Sequence, residues 1–247
     1  MNEDVRTLRE NLAPHGRLRA AINFGNTVLA QRGPTLAESG GVSVAIAREL
    51  ARRLDVPLEL VPFDGAGAVV ATAKNDVHDV AFMAIDPLRA ADFGFSAPYV
   101  LIEGGYLVRD ASPVQRIDDV DRPGMRMTVG GASAYDLYLS RTLQHAEIVR
   151  APTSSDAIAL FLRDGFDVAA GVKASLADFA KANRGVRVLD GRFMVIEQAM
   201  ATVHGPAAAR AIGELIEELK RSGFIERELT RSGQTDAVVA PLRGSRP

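Results

Sequence analysis

The side chains best suited to holding a small ion sit at a few points in the chain, and Arg89 is the foremost of them. It follows a wholly apolar run, Val80 to Ile85, with Asp86 three residues before it. A planar guanidinium at the mouth of a buried strand can grip a carboxylate through two parallel hydrogen bonds, and burial strengthens that grip. The plain alternative is a surface arginine paired with Asp86 or Asp92, a contact of small energetic weight. Gly130-Gly131 followed by Ser133 supplies a second feature, a helix start whose backbone N–H groups and hydroxyl could meet an anion, although an ordinary N-cap has the same residues. Lys173, at the end of another apolar run, suits either a second acidic group or a solvated strand end. Phe24 and Tyr135 can lay rings against the apolar part of a ligand, and core packing accounts for either equally well. Asn23 and Asn26 can donate and accept hydrogen bonds, and turn formation also explains them.

Other chemistries find little support. His15, His78, His145 and His204 show no H-x-x-x-H or H-x-H spacing, so no metal centre is expected. The chain has no cysteine, which removes thiolate nucleophiles, sulfur ligands and disulfides. There is no G-x-S-x-G elbow and no Walker-type loop, the usual warrants for acyl transfer and nucleotide hydrolysis. Twenty-nine basic against 31 acidic side chains leave a formal charge of −2, and the basic residues are spread along helices, so nucleic acid is not an expected partner.

Several elements must position these groups. The chain has 247 residues, 47% apolar and 24% charged, enough for one or two compact domains. Leu18 to Phe24 reads as a buried strand, Gln31 to Gly41 as a loop, and Ser43 to Leu54 as a helix with Ala47, Leu50, Ala51 and Leu54 on one face. Strand Leu58 to Phe63, helix Ala66 to Lys74 and strand Val80 to Ile85 complete a β-α-β-α-β pattern, whose ligand loops lie outside the carboxyl ends of the strands. Strand Leu101 to Val108 leads to a polar connection from Arg109 to Gly124. The alternation then begins again with strand Arg126 to Val129, helix Ala134 to Leu143, strand Glu147 to Arg150, helix Ser155 to Arg163, strand Val168 to Val172, and a helix from Lys173 to about Ala182. Strand Val186 to Leu189 and an extended return, Phe193 to Thr202, precede an amphipathic helix, Ala207 to Lys220, ended by Gly223. The tail from Arg243 is expected to be mobile. No stretch approaches the roughly 18 to 20 apolar residues of a membrane span, so no membrane insertion is expected. Met1 to Gly16 lacks the apolar run of a secretory signal; the chain as it stands reads as cytoplasmic, and as periplasmic if it is a processed or shortened form.

Five segments together carry a family resemblance. Gly41-Val42-Ser43-Val44 opens a helix that ends at Leu54; Asp79 to Arg89 precedes Phe95-Ser96-Ala97-Pro98-Tyr99; Gly131 to Ser133 and Asp164-Gly165-Phe166-Asp167 follow. On these the chain resembles the type-2 periplasmic substrate-binding proteins of ABC importers, bacterial extracellular solute-binding protein family 3, in the branch of the polar amino-acid receptors. Such proteins place a Thr three residues before an Arg, then a Phe-Ser-x-Pro-Tyr segment leading to the hinge; here Asp86 stands at the Thr position. The resemblance implies an α/β, two-lobed periplasmic-binding-protein-like II fold, each lobe a mainly parallel sheet flanked by helices and joined by two crossing strands. Lobe 1 would comprise residues 1–108 with 196–247, and lobe 2 residues 109–195.

The function implied is capture of a small carboxylate-bearing metabolite, amino-acid-like or an organic acid, in an interlobe cleft by hinge closure. An ABC permease is the implied protein partner, and no cofactor is implied. Ligand contacts fall at Phe24, Asn26, Ala84, Asp86 and Arg89 in the first lobe and at Ser133, Tyr135 and Lys173 in the second. Gln198 joins them from a crossing strand, with Glu103 and Glu197 bordering the cleft. Amino-acid receptors commonly hold the ligand ammonium with an Asp five residues beyond the one matching Asp167, but this chain has Val172 there. Either Asp86 substitutes, or the ligand lacks that amine, or Asp86 orients Arg89. The alternative is a cleft enzyme of the same fold, a cyclohexadienyl-dehydratase-like lyase, with Glu103, Asp86 or Glu197 as the acid. A sensory binding module would need an effector domain for which 247 residues leave no room.

Overall fold

The computed structural model describes residues 3–244, with the backbone alone for residues 3–7. The chain divides into two compact units, Met1–Leu101 with Glu197–Pro247, and Ile102–Ile196.

Unit 1 begins with α1 (Glu3–Leu12), which no sequence signal announced, and continues through β1 (Leu18–Asn23), α2 (Val42–Leu54), β2 (Leu58–Phe63), α3 (Ala66–Ala71) and β3 (Val80–Ala84). The β2-β1-β3 trio is parallel, with Leu18 opposite Leu58 and Ala20 opposite Val80. All five residues of β3 are buried, as a strand covered on both faces requires. α2 starts at Gly41, whose φ of 96° and whose missing Cβ, which would lie 2.5 Å from the Leu29 carbonyl oxygen, admit only glycine. α3 stops at Ala71, short of Lys74, because Thr72 turns its hydroxyl back onto the Val69 carbonyl at 2.8 Å.

A single strand, β4 (Gly94–Arg109), runs from unit 1 into unit 2. It starts seven residues before the apolar run at Leu101 because Pro98 masks its beginning. Proline is tolerated in a strand where no ladder donor is needed. Unit 2 then follows the order β5 (Arg126–Gly130), α4 (Ala134–Thr142), β6 (Glu147–Ala151), α5 (Ser154–Asp164), β7 (Val168–Val172), α6 (Lys173–Ala182), β8 (Val186–Val188). Here β6-β5-β7 is parallel, and β4 joins β7 and β8 antiparallel. The core of unit 2 gathers Leu107, Phe161, Phe166, Ala169 and Leu176. The chain returns along β9 (Met194–Thr202), which pairs antiparallel with β3, and closes with α7 (Gly205–Arg221), α8 (Phe224–Arg231) and the short β10 (Val238–Val239) on β4. Of the tail from Arg243, that residue donates its N–H to Glu217 at 3.0 Å, and residues 245–247 lie outside the described residues. No described helix is long and apolar enough to cross a membrane.

One buried carboxylate knots unit 1 together. Asp79, fully buried before β3, accepts hydrogen bonds from the Arg19 N–H at 2.8 Å, from Arg19 Nη2 at 2.8 Å and from Nε at 3.2 Å. His204 Nε2 lies 3.1 Å from Oδ1, the oxygen that also takes Arg19 Nη2, and Thr202 donates to the Asp79 carbonyl at 2.8 Å. Burial alone would raise the Asp79 pKa, but the bonds from His204 and Arg19 prevail and hold it at about 2.

Removing that carboxylate leaves the buried Arg19 guanidinium with the exposed Asp76 as its remaining ion partner and the Arg19 and His204 donors around position 79 without their acceptor. Asp79→Ala is therefore expected to lower the unfolding free energy by about 3–5 kcal/mol, read from the urea midpoint. A folded pKa below the ordinary carboxylate value of about 3.9 means that the stabilisation is complete above roughly pH 4 and fades as pH falls toward 2. The wild-type midpoint should drop across that window by more than that of Asp79→Asn; equal slopes would show that the knot contributes no pH dependence.

Candidate functional site

The parallel register of β1 and β3 sets the loop after Asn23 beside the loop after Ala84. Asp86 builds the second of these: its carbonyl accepts from the N–H groups of Arg89 and Ala90 at 3.0 and 3.1 Å, and its Oδ1 accepts from Leu88 N–H at 2.9 Å. This turn aims Arg89 back over the end of β3, where Nη1 donates to the Ala84 carbonyl at 2.9 Å. Arg89 is only 2% exposed, so it is not a surface arginine, and Asp92 pairs instead with Lys74 at 3.0 Å. Burial lowers the Arg89 pKa to about 10, against the opposing pull of Asp86, which leaves the guanidinium charged at neutral pH.

Around it, Gln198 on β9 sits directly opposite Ala84 on β3, and the Glu197 carbonyl accepts the Ile85 N–H at 2.9 Å while its side chain is exposed. Phe24 is buried beneath Arg32, whose guanidinium carbon lies 4.5 Å from the ring centroid. Asn23 forms a turn, its Oδ1 accepting from Gly25 N–H at 3.0 Å. Asn26 caps the next turn with its carbonyl, and its buried Oδ1 accepts no hydrogen bond. Leu88, 65% exposed, adds an apolar side chain on the Arg89 loop that the sequence reading passed over.

In unit 2 the β5–β7 register, Thr128 opposite Ala169, runs on toward Gly130-Gly131 on one strand and Gly171-Val172, just before Lys173, on the other. Gly130 must be glycine, because a Cβ would come within 2.8 Å of the Ser154 nitrogen. Ser133 is the N-cap of α4, its Oγ accepting from Asp136 N–H at 3.1 Å. Asp136 in turn accepts from Ala132 N–H at 2.8 Å and from Arg150 Nε at 3.0 Å. Tyr135 is buried, its hydroxyl 2.6 Å from Ser154 Oγ, and burial raises its pKa. Lys173 opens α6, a helix without a side-chain cap, and its Nζ lies 3.3 Å from Glu103, whose other oxygen takes Arg192 Nη1 at 2.5 Å. The Arg192 hydrogen bond, opposed by burial and helped by Lys173, holds the Glu103 carboxyl below its usual value. Arg192 carries no motif; the Phe193 N–H bonded to the Gly104 carbonyl at 3.1 Å and the Phe193 ring stacked on Tyr106 bring it there.

The structure thus assembles Ala84, Asp86, Arg89 and Gln198 into one face of unit 1, with Phe24 and Asn26 at the neighbouring strand end. Ser133, Tyr135 and Lys173 occupy adjacent strand ends of unit 2. A group of metal-ligating types among the described residues, His15, Asp76 and Asp79, brings ligand atoms within 4.8 Å of one another. Arg19 already bonds to both of those carboxylates, which sets a fixed positive charge where a cation would stand.

The profile of the bacterial extracellular solute-binding proteins, family 3, matches residues 34–238. No curated protein sequence matches the chain significantly. Among solved structures, a mutant of ArgBP from T. maritima superposes with a TM-score of 0.77 at 20% identity, covering 92% of this chain and 99% of that one. AbpA, an amino acid ABC transporter substrate-binding protein from Streptococcus pneumoniae bound to L-arginine, gives 0.77 at 20% identity over 90% and 97%. The ancestral amino acid-binding protein AncCDT-1, a precursor of cyclohexadienyl dehydratase, gives 0.76 at 20% identity over 92% and 98%. At these identities the likeness shows the fold, a periplasmic-binding-protein-like α/β architecture.

The capping geometry of Ser133 yields its own expectation. Ser133→Ala should cost about 1 kcal/mol of stability without any added solute, and Ser133→Asp should restore it. Thermal melts monitored by circular dichroism decide this; an unchanged melt in Ser133→Ala would mean that the hydroxyl does not support α4.

Proposed function

The chain belongs to family 3 of the bacterial extracellular solute-binding proteins, and we propose that it captures a small carboxylate-bearing metabolite whose anion is gripped by Arg89. The observation that carries this reading is the Arg89 guanidinium, charged and 98% withdrawn from solvent at the carboxyl end of a parallel strand, on a turn that Asp86 builds. A fixed, buried guanidinium favours a planar anion because both partners are freed from competing water. Capture is by hinge closure over the solute, with no bond made or broken, and an ABC permease is the natural receiver of the cargo. Leu88 and Phe24 suit a solute with an apolar portion.

The dehydratase-type alternative requires a carboxyl group that keeps its proton long enough to hand it to a leaving hydroxyl. Glu103, bonded to Arg192 and Lys173, is held ionised instead, and Glu197 turns its side chain to solvent. Both features favour binding over catalysis.

A thermal-shift screen of amino, oxo, hydroxy and aromatic acids tests the proposal. A solute present at a hundred times its Kd stabilises by about 2.7 kcal/mol, a rise of several degrees in Tm. Arg89→Ala should abolish that rise while remaining folded by circular dichroism. A shift of equal size in Arg89→Ala would remove the guanidinium from the binding role, and consumption of the hit over time, followed by NMR, would favour the enzyme.

A further inference from the structure

Solute capture by Arg89 leaves the rest of the ligand undefined, and Gln198 narrows it. We propose that Gln198 reads a neutral hydrogen-bonding substituent, a hydroxyl or a carbonyl, next to the carboxylate that Arg89 holds, so that the solute is an α-hydroxy or α-oxo acid. The inference rests on the carboxylate-capture reading and adds a specificity-determining residue to it.

Gln198 is 5% exposed, yet its side-chain amide makes no hydrogen bond with any described residue. It is not sealed into the core, for neither amide atom is among the fully enclosed polar atoms without a partner. A buried amide left unsatisfied is costly, and native proteins satisfy nearly all such groups. The Gln198 amide atoms stay open to solvent, so a solute that displaces that water has to replace its hydrogen bonds. Its place is set by the β3–β9 register: Gln198 pairs with Ala84, so the two side chains share one face, and the Ala84 methyl is too short to cover the amide. The Ala84 carbonyl is the same group that holds Arg89 Nη1 at 2.9 Å, which puts the amide one cross-strand step from the anion grip. An amide both donates and accepts, so it serves a hydroxyl and a carbonyl alike.

An ammonium substituent fits this face poorly. Asp86, on the neighbouring turn, gives Oδ1 to Leu88 N–H at 2.9 Å and lies beside the Arg89 charge, and Glu197, the neighbour of Gln198 on β9, projects to solvent. A buried cation without a carboxylate of its own is strongly disfavoured.

The test is isothermal titration of the full chain with matched acids on several carbon skeletons: propionate, lactate, pyruvate and alanine; phenylpropionate, phenyllactate, phenylpyruvate and phenylalanine; succinate, malate, oxaloacetate and aspartate. On the skeleton that binds, the hydroxy or oxo member should bind about tenfold or more tightly than both the unsubstituted acid and the amino acid, as one buried hydrogen bond implies. Gln198→Met should erase that advantage, so that the hydroxy and oxo members bind no more tightly than the unsubstituted acid measured in the same variant. Gln198→Glu, which keeps the shape and adds a charge, should shift preference toward the amino acid and so preserves the test if Gln198→Met does not fold. Tightest binding by the amino acid in the wild type, or an advantage that survives in Gln198→Met, would overturn the assignment while leaving Arg89 in place. Binding that ignores Arg89→Ala, or no binding by any acid, would instead bring down the capture reading itself.

Discussion

Charge that cannot leave the interior governs this protein. Asp79 is fully buried and is kept ionised by Arg19 and His204, so three distant parts of the chain have to meet at one point: the start of β1, the entry to β3 and the junction of β9 with α7. A salt bridge in this position is not a large source of net stability, because desolvation offsets much of the attraction. Its effect is on arrangement. Alternative registers of β1 against β3 would leave an unpaired ion in the core, and the register that survives is the one that brings the loops after Asn23 and Ala84 side by side.

The same economy appears at Arg89. Asp86 takes three backbone N–H groups, one with its side chain and two with its carbonyl, and in doing so fixes the turn that withdraws the guanidinium from water. A carboxylate used to shape a loop is thereby less available to a ligand cation. On unit 2 the anion-attracting features are differently disposed. α4 satisfies its first turn with Ser133 and Asp136, whereas α6 has no side-chain cap and its first residue, Lys173, pairs with Glu103, which also takes Arg192. The two faces thus differ in kind: one rests on a deeply buried cation, the other on helix starts and a half-exposed triad.

Much of the architecture was legible from apolar runs and turn residues. β2 and β7 have the bounds that their composition predicts, Leu58–Phe63 and Val168–Val172, because apolar runs flanked by Pro or Asp leave little freedom in placing their ends. Hidden features had non-local causes. The first half of β4 was masked by Pro98, and β10 is two residues long, held only by pairing with β4. For the site, Arg89 and Asp86 were visible as residue types at a strand mouth, but the role of Asp86 as turn builder needed coordinates. Arg192 and the uncovered amide of Gln198 depend on cross-strand neighbours, and one-dimensional patterns do not report which residue stands opposite which. Ser133 and Tyr135 show the limit from the other side, since the side-chain atoms that would suit a ligand are also those that cap α4 and bond to Ser154.

β4 spans 16 residues, and its two halves answer to different ladders, Val100 and Leu101 to β10, and Gly104 to Leu107 to β7. Side chains along a strand alternate, so a one-residue insertion between those ladders would invert the facing of one half relative to the other. Tyr99, hydrogen-bonded to Ser43 at 2.9 Å, and Glu103, flanked by two cations, would then no longer keep their mutual phase. Exposed loops away from the Asn23 and Ala84 strand ends can lengthen or shorten with far less consequence. This segment behaves as a fixed-length ruler, and its drift should be confined to exchanges of residue identity.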